Sequence, residues 1–241
     1  MKKYFISTFG CQMNHSDSTR INSILEIIGY KLASNISETD LVVVNMCSVR
    51  QSAVDRIFGI AQKFGYLKLK NPNLKTILTG CILKKDRDNL SKIFDFVIDI
   101  KDITKLPKIL QKPQEKTLKD YFKIEPKFSE SIAYIPIMTG CNNYCAYCVV
   151  PYVRGQEISR PVKDVISDVR NAVKNGAKEI WLLGQNVNSF IADNKKSKKP
   201  EKHFSDLLKK INKIDGDFWI KFTSSHPKDF LEDIIKAIKT S

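Results

Sequence analysis

Three times in the first hundred residues an apolar, β-rich run leads to a cysteine and then into a helical pattern, and this repeat leaves few folds open. Lys3-Tyr4-Phe5-Ile6-Ser7-Thr8-Phe9 leads to Cys11, Leu41-Val42-Val43-Val44-Asn45 to Cys47, and Lys75-Thr76-Ile77-Leu78-Thr79 to Cys81. The cysteines stand 36 and 34 residues apart, the length of one strand-helix-strand unit. Helical patterns run from Ser16 to Ile28 (closed by Gly29), from Val49 to Phe64 (closed by Gly65) and from Asp86 to Phe94, and a fourth strand pattern, Phe96-Val97-Ile98-Asp99-Ile100, follows. Short apolar strands alternating with amphipathic helices predict an α/β domain over residues 1–110, built on a doubly wound parallel sheet. Sites in such sheets form at the carboxyl ends of the strands, so the three cysteines are expected to converge on one edge.

From about residue 107 the sequence turns to proline and charge without a clear period, and residues 111–131 read as a linker. A second domain, 132–241, opens with a strand from Ile132 to Met138 that enters a second group of cysteines. A helix over Val162–Lys174 stops at Asn175-Gly176, and Glu179–Leu183 is a strand. Phe204–Ile214 is a helix, Phe218–Phe222 a strand and Asp229–Ile238 a helix. These are the first three β/α units of a partial (β/α) barrel. Three units leave an open strand edge where a closed barrel has none, so the sequence reads as part of a larger enzyme, incomplete or split.

The six cysteines are not read as disulfides. A chain of 241 residues with 42% hydrophobic content buries its own core, and no secretory pattern opens it. Two groups of three suggest two metal sites instead. Cys141, Cys145 and Cys148 are spaced CxxxCxxC, which lets three thiolates on one short loop reach three corners of a cubane iron-sulfur cluster and leaves the fourth iron open. Zinc is the competing reading, but structural zinc sites close with four ligands, and no fourth cysteine or nearby histidine follows Cys148. Cys11, Cys47 and Cys81 could be three buried thiols. Their places just past parallel strands, two of them after Gly10 and Gly80, suit ligands better, with glycine expected to let the backbone approach a bulky inorganic group. A net charge of +14 suits a partner dense in phosphates, or a lysine-rich solvated surface. No run approaches the roughly 18 apolar residues of a membrane helix, and a cytoplasmic protein without a membrane partner is expected.

With an aromatic residue, Tyr147, just before its last cysteine, the CxxxCxxC loop resembles that of the radical S-adenosylmethionine (SAM) superfamily. Further segments resemble one branch of it, the methylthiotransferases. These are Cys148-Val-Val-Pro-Tyr-Val-Arg-Gly155, Ser159-Arg160-Pro161, Leu183-Gly184-Gln185-Asn186-Val187-Asn188-Ser189 and Thr223-Ser224-Ser225-His226-Pro227. Thr8-Phe9-Gly10-Cys11-Gln12-Met13-Asn14, Cys47-Ser48-Val49-Arg50 and Thr79-Gly80-Cys81 do so in the first domain. Gln12-Met13-Asn14, Cys148 to Tyr152 and Thr223 to Pro227 are most similar to the branch acting on N6-dimethylallyladenosine of tRNA. Siblings acting on threonylcarbamoyladenosine or a ribosomal protein are the alternative, and a non-catalytic, zinc-containing RNA-binding module is the rival from another class.

The resemblance implies two 4Fe-4S clusters, one on Cys141, Cys145 and Cys148 and one on Cys11, Cys47 and Cys81. At the first, SAM binds through its methionine amino and carboxylate groups and is cleaved to a 5′-deoxyadenosyl radical; the second carries the sulfur to be methylated and inserted. It places Tyr147 near the adenosyl part and Gln185 near the methionine amino group. It also implies a monomer with the tRNA anticodon stem-loop as substrate and a flavodoxin- or ferredoxin-type electron donor. Arg50 is a candidate for the second cluster or a phosphate, and Arg154 and Arg160 for a cofactor carboxylate or tRNA, each with an ordinary ion pair as its alternative. His15, His203 and His226 lack metal-ligand spacing. The lysine run at 195–199 reads as a solvated loop, with tRNA contact as its alternative.

Overall fold

In the computed structural model of the chain, which describes residues 1–111, 121–124, 126, 128, 131–191 and 204–240, the β-rich runs of the first hundred residues all point the same way. Strands β1 (Lys3–Phe9), β2 (Lys31–Leu32), β3 (Leu41–Cys47), β4 (Lys75–Cys81) and β5 (Phe96–Val97) pair in parallel in the order β2-β1-β3-β4-β5. Helices α1 (Gln12–Ile27), α2 (Gln51–Lys70), α3 (Lys84–Ser91) and α4 (Leu106–Ile109) accompany them. Every residue of β3 is buried, and its side chains alternate between two cores. Leu41 and Val43 pack with Ile21, Ile24 and Leu25 of α1, whereas Val42 and Val44 pack with Val54, Ile57, Phe64 and Leu67 of α2. Covered faces on both sides are what an all-apolar parallel strand requires, and each buried aliphatic side chain contributes about 1.5–3 kcal/mol.

Several element bounds differ from those expected, each for a packing or capping reason. Helix α1 starts at Gln12, four residues before Ser16, because Cys11 is its N-cap and the Asn14 side chain accepts the Cys11 backbone N–H at 3.1 Å. Helix α2 continues through Gly65 to Lys70. Glycine inside a helix costs about 1 kcal/mol, less than the burial of Phe64 and Leu67 on either side returns. The fourth strand is cut to Phe96–Val97 and runs on into a 3-10 turn, Ile100–Lys105, which turns Ile100 and Ile103 into the first core. Within the stretch read as rich in linker character, Leu106, Leu110 and Ile124 are buried in that core and Tyr121 packs against it. The remainder of that stretch, residues 112–120, 125, 127 and 129–130, lies outside the described residues.

The chain forms two compact units, Met1–Lys127 and Phe128–Ser241. In the second, β6 (Ile132–Pro136), β7 (Met138–Thr139), α5 (Val150–Arg154) and β8 (Ile158–Ser159) precede α6 (Val162–Lys174), β9 (Glu179–Leu183), α7 (Phe204–Asn212), β10 (Trp219–Phe222) and α8 (Glu232–Lys239). Strands β6, β9 and β10 form a parallel sheet in the order β10-β9-β6. The run expected as one strand over Ile132–Met138 is divided. The Ile137 carbonyl accepts the Arg160 N–H at 2.8 Å, and Met138–Thr139 then pair antiparallel with β8. One core, with Ile135, Ile180 and Leu182 from the sheet, Val165 and Val169 from α6, Leu207 and Ile211 from α7 and Ile234 from α8, covers one face. Helices on one face of three parallel strands are the partial-barrel arrangement expected. Among the described residues no helix is long and apolar enough to cross a membrane.

Candidate functional site

In the first unit the fold brings the cysteines to one sheet edge. Cys47 and Cys81 end β3 and β4 and are register partners, while Phe9 at the end of β1 is paired with Met46 and places Cys11 just beyond. Cys47 and Cys81 are 7% and 5% exposed, and Cys11 is half-buried; none of the three is in a disulfide. The Ser48 N–H donates to the Cys81 carbonyl at 2.8 Å, closing the loop over the strand ends. The Cys47 thiol is lowered to about 6. Its hydrogen bond with Cys81 is the largest cause; burial opposes it, and the Val49 and Arg50 backbone N–H groups and the Arg50 charge add to it. Arg50 also donates to the Gly10 carbonyl at 3.4 Å, so it links the Cys47 loop to the Cys11 loop.

The glycines beside these cysteines serve a different purpose from the one expected. A Cβ on Gly10 would lie 2.1 Å from Asn14 Oδ1, and a Cβ on Gly80, whose φ is +115°, would lie 2.1 Å from the Met46 carbonyl oxygen and 2.7 Å from Asn45 Oδ1. The room they leave is filled by protein: by the Asn14 side chain at Gly10, and by the Met46 backbone and the Asn45 side chain at Gly80.

In the second unit the CxxxCxxC loop joins β7 to α5, with Cys141 buried and Cys145 and Cys148 half-buried. Its base is fixed on both sides. Cys141 N–H donates to the Gly155 carbonyl at 3.2 Å, and Asn142 Oδ1 accepts the Glu157 N–H at 3.0 Å. Gly140 at φ +75° brings the backbone so close to Gln156 that a Cβ would lie 2.0 Å from its carbonyl oxygen. The Cys148 N–H donates to the Cys145 carbonyl at 2.9 Å, and Tyr144 at φ +47° turns the loop outward, edge-on to Tyr152. Tyr147 is 89% exposed, so core packing does not account for it.

Segments after β9 and β10 close on one another at the carboxyl ends of those strands. Asn186 Nδ2 donates to Asp229 Oδ2 at 2.6 Å, its Oδ1 accepts the His226 N–H at 3.0 Å, and the Val187 N–H donates to the Ser224 carbonyl at 3.1 Å. Ser189 Oγ donates to Glu157 Oε2 at 2.8 Å; burial, then the nearby Asp229 charge, push the Glu157 carboxyl above its ordinary value against the Ser189 bond and Lys228. Beside this network Gln185 Oε1 and both amide atoms of Asn188 are buried with no hydrogen-bond partner among the described residues. Buried polar atoms of this kind are completed by ordered water, an ion or a ligand.

Arg160 is the clearest departure. It is 1% exposed and committed internally, donating to the Pro136 carbonyl at 2.8 Å and Asp168 Oδ2 at 2.9 Å, so it pins β6 to α6 where a cofactor or RNA contact was a candidate. Arg154 ends α5, and His226 Nδ1 accepts the Lys228 N–H at 3.3 Å. His203 and the 195–199 lysine run lie outside the described residues. Asn14 entered only as part of the Gln12-Met13-Asn14 resemblance, and the sequence assigned no role to Asn45, Glu157 or Asp229. Asn45 carried a signal, a polar residue inside an apolar strand run; Glu157 carried none.

Among the described residues no three His, Cys, Asp or Glu side chains are grouped to hold a single metal ion. The all-thiol donor sets, a Cys47 thiol already inclined to the thiolate and the open Gln185 and Asn188 amides fit an iron-sulfur cluster and an amino-acid-bearing cofactor.

Residues 3–100 match the uncharacterized protein family UPF0004, and residues 135–241 match the radical SAM superfamily. The tRNA-2-methylthio-N(6)-dimethylallyladenosine synthase of Clostridium novyi (strain NT) is 39% identical over 254 residues, covering 98% of this chain and 55% of that protein. The synthase of the same name from Fusobacterium nucleatum subsp. nucleatum is 40% identical over 254 residues, covering 99% and 57%. The chain thus spans little more than half the length of these curated relatives. Among solved structures, the apo, selenomethionine-labelled cobalamin-dependent S-adenosylmethionine radical enzyme OxsB superposes with a TM-score of 0.56 at 10% identity, over 99% of this chain and 41% of that one.

Proposed function

We propose that this chain, which belongs to the radical SAM superfamily and carries a UPF0004 domain ahead of its radical SAM domain, is part of a tRNA methylthiotransferase. The reaction is replacement of C–H by C–SCH₃ at carbon 2 of N6-dimethylallyladenosine beside the anticodon. The observation that carries this reading is the pairing of a CxxxCxxC loop in a radical SAM domain with three thiols gathered at one edge of a separate parallel sheet. The dimethylallyl substrate is supported by relatives of that name at 39–40% identity.

Superfamily membership implies SAM and one 4Fe-4S cluster, for which Cys141, Cys145 and Cys148 are the ligands proposed here. When bound, that cluster supplies the electron that cleaves the SAM sulfonium bond and so provides the radical that takes hydrogen from the base. Gln185, with its buried amide oxygen open, orients the methionine amino group, and Tyr147 covers the adenosyl part. Cys11, Cys47 and Cys81 hold a second 4Fe-4S cluster that presents the sulfur. Arg50 keeps the Cys11 and Cys47 loops together and lowers the Cys47 thiol toward its ligand form. The +14 net charge favours a polyanionic substrate and a salt-sensitive association. A flavodoxin- or ferredoxin-type donor supplies reducing electrons, and a tRNA substrate puts the reaction in the cytoplasm.

Anaerobic purification followed by reconstitution with iron and sulfide tests the cofactor assignment. About eight irons per chain are expected, four for each cubane; colourless protein holding zinc would reject it. Mass spectrometry of tRNA nucleosides from a deficient host expressing the protein tests the substrate. A methylthio group on the dimethylallyl nucleoside is expected, and its appearance on threonylcarbamoyladenosine instead would move the chain to a sibling activity.

A further inference from the structure

The three residues that immediately precede the first-unit cysteines, Gly10, Met46 and Gly80, all meet the same pair of side chains. Asn14 and Asn45 are each 0% exposed. Asn14 Oδ1 accepts the Cys11 N–H at 3.1 Å and the Cys11 thiol at 3.4 Å. Its Nδ2 donates to Asn45 Oδ1 at 2.9 Å and to the Met46 carbonyl at 3.1 Å. Asn45 Nδ2 donates back to the Asn14 carbonyl at 2.7 Å and to Ser18 Oγ at 3.0 Å, and Ser18 Oγ in turn shares a 2.8 Å hydrogen bond with Thr8 Oγ1. Every donor of both amides is used, and a fully satisfied buried network of this kind admits one arrangement.

Three strand ends are thereby tied to one another. Asn14 reaches from the start of α1 to Met46, next to Cys47. Asn45 Oδ1 sits 2.7 Å from where a Cβ of Gly80 would be, next to Cys81, so glycine there is needed for the asparagine to fit. Gly10 is needed likewise, since its Cβ would overlap the Asn14 amide. Sheet hydrogen bonds alone fix Cys47 against Cys81, because these two are ladder partners. Cys11 lies beyond β1 in a loop, and the ladder does not reach it. The bond from the Cys11 thiol lasts only while that thiol keeps its proton, whereas the bond from its backbone N–H does not depend on protonation.

We infer that Asn14 and Asn45 are positioning residues for the thiol trio, setting Cys11 against Cys47 and Cys81 so that the three can bind one iron-sulfur cluster. The inference rests on the cluster assignment proposed above. Its test uses the full chain carrying Cys141→Ala, Cys145→Ala and Cys148→Ala, so that only the first-unit thiols remain. After anaerobic reconstitution, iron per chain and the electron paramagnetic resonance spectrum of the dithionite-reduced sample are measured. About four irons are expected in this parent. Adding Asn14→Ala or Asn45→Ala is expected to lower iron at least two-fold and to change or abolish the spectrum. Asn45→Ser, which keeps a hydroxyl near Ser18, serves if an alanine variant does not fold. Leu25→Ala, in the core beneath α1, is the control: it lowers the melting temperature at least as much yet keeps the parent iron content and spectrum.

Parent-level iron and spectrum in the asparagine variants would overturn the inference. Equal iron loss in Leu25→Ala would do so too, because the asparagines would then act only through the stability of the fold. A parent that takes up no iron rejects the cluster assignment, and with it the inference; the parent sample alone tells the two failures apart.

Discussion

The two groups of cysteines are held by opposite means. Cys141, Cys145 and Cys148 lie within eight residues on one loop, and their spacing is local: one turn from Cys145 to Cys148, a left-handed Tyr144 and a base clamped to Gly155 and Glu157. Cys11, Cys47 and Cys81 are dispersed over 71 residues, and contacts between distant segments, namely sheet register, the Asn14–Asn45 pair and the Arg50 bond to the Gly10 carbonyl, bring them to one edge. The loop is one short segment clamped at its base; the trio is built into a core whose central strand is wholly buried. A site made by local spacing tolerates perturbation of the fold around it, whereas one made by tertiary contacts shares the fate of the core.

The largest expected effect tests whether the groups are independent. On the two-cluster proposal, Cys145→Ala should remove one cluster and Cys81→Ala the other, so each single variant should keep about four irons where the parent is expected to hold about eight. Loss of all iron in either, measured after anaerobic reconstitution, would show that the sites are not separate. Next come the paired glycines. Gly80→Ala forces a Cβ against the Met46 carbonyl and Asn45 inside the buried sheet, and should lower unfolding free energy by about 3 kcal/mol or more. Gly140→Ala meets a comparably close carbonyl at Gln156, but outside the parallel sheet; about 1–2 kcal/mol is expected in denaturant titrations. Equal costs would break the contrast between core-built and loop-built sites.

The second unit has one buried tie of its own. Asp168→Asn leaves the Arg160 guanidinium, 1% exposed, without its carboxylate and should cost about 3 kcal/mol by the same titration, whereas replacing both partners by apolar residues should cost less than that single change.

The smallest effects are in pH, and their signs differ between units. For Asp95 burial is the largest influence and raises the carboxyl, but the hydrogen bonds from Lys68 and Thr76 together outweigh it and hold it below its ordinary value. Its stabilising contribution is therefore present above the ordinary carboxylate range and lost as pH falls through the lowered value. The melting temperature of Asp95→Asn should lie below the parent's at pH 7, and the gap should close toward pH 3. Glu157 is raised, so ionisation in the folded state is disfavoured at neutral pH. Glu157→Gln, which still accepts from Ser189, should melt at or slightly above the parent at pH 7, with the difference vanishing as both become neutral in acid.

Much of the architecture was legible because burial dictates composition. An all-apolar run such as Leu41 to Val44 has no stable place except between two covered faces, and β3 occupies that place. The resemblance to the radical SAM superfamily likewise held through the match over residues 135–241, and the synthases of Clostridium novyi and Fusobacterium nucleatum are 39% and 40% identical to the chain. Element bounds were less legible where packing overrode local signals. Gly65 reads as a stop but lies between the buried Phe64 and Leu67, and Ile100 reads as strand but enters the core from a 3-10 turn.

By itself the sequence determined which side chains can serve as ligands and how three of them lie on one loop, because a spacing of four and three residues is a local property of the chain. Only the tertiary structure decided what Gly10, Gly80 and Arg160 do. Gly10 makes room for the Asn14 side chain, Gly80 for the Met46 backbone and the Asn45 side chain, and the arginine closes a buried ion pair with Asp168. Those roles depend on partners that lie far along the chain, such as Asn45 for Gly80, or on the facing turn of a helix, such as Asp168 for Arg160. Residue types record that a polar group must be satisfied or a Cβ omitted; the partner that requires it is set by how strands and helices pack.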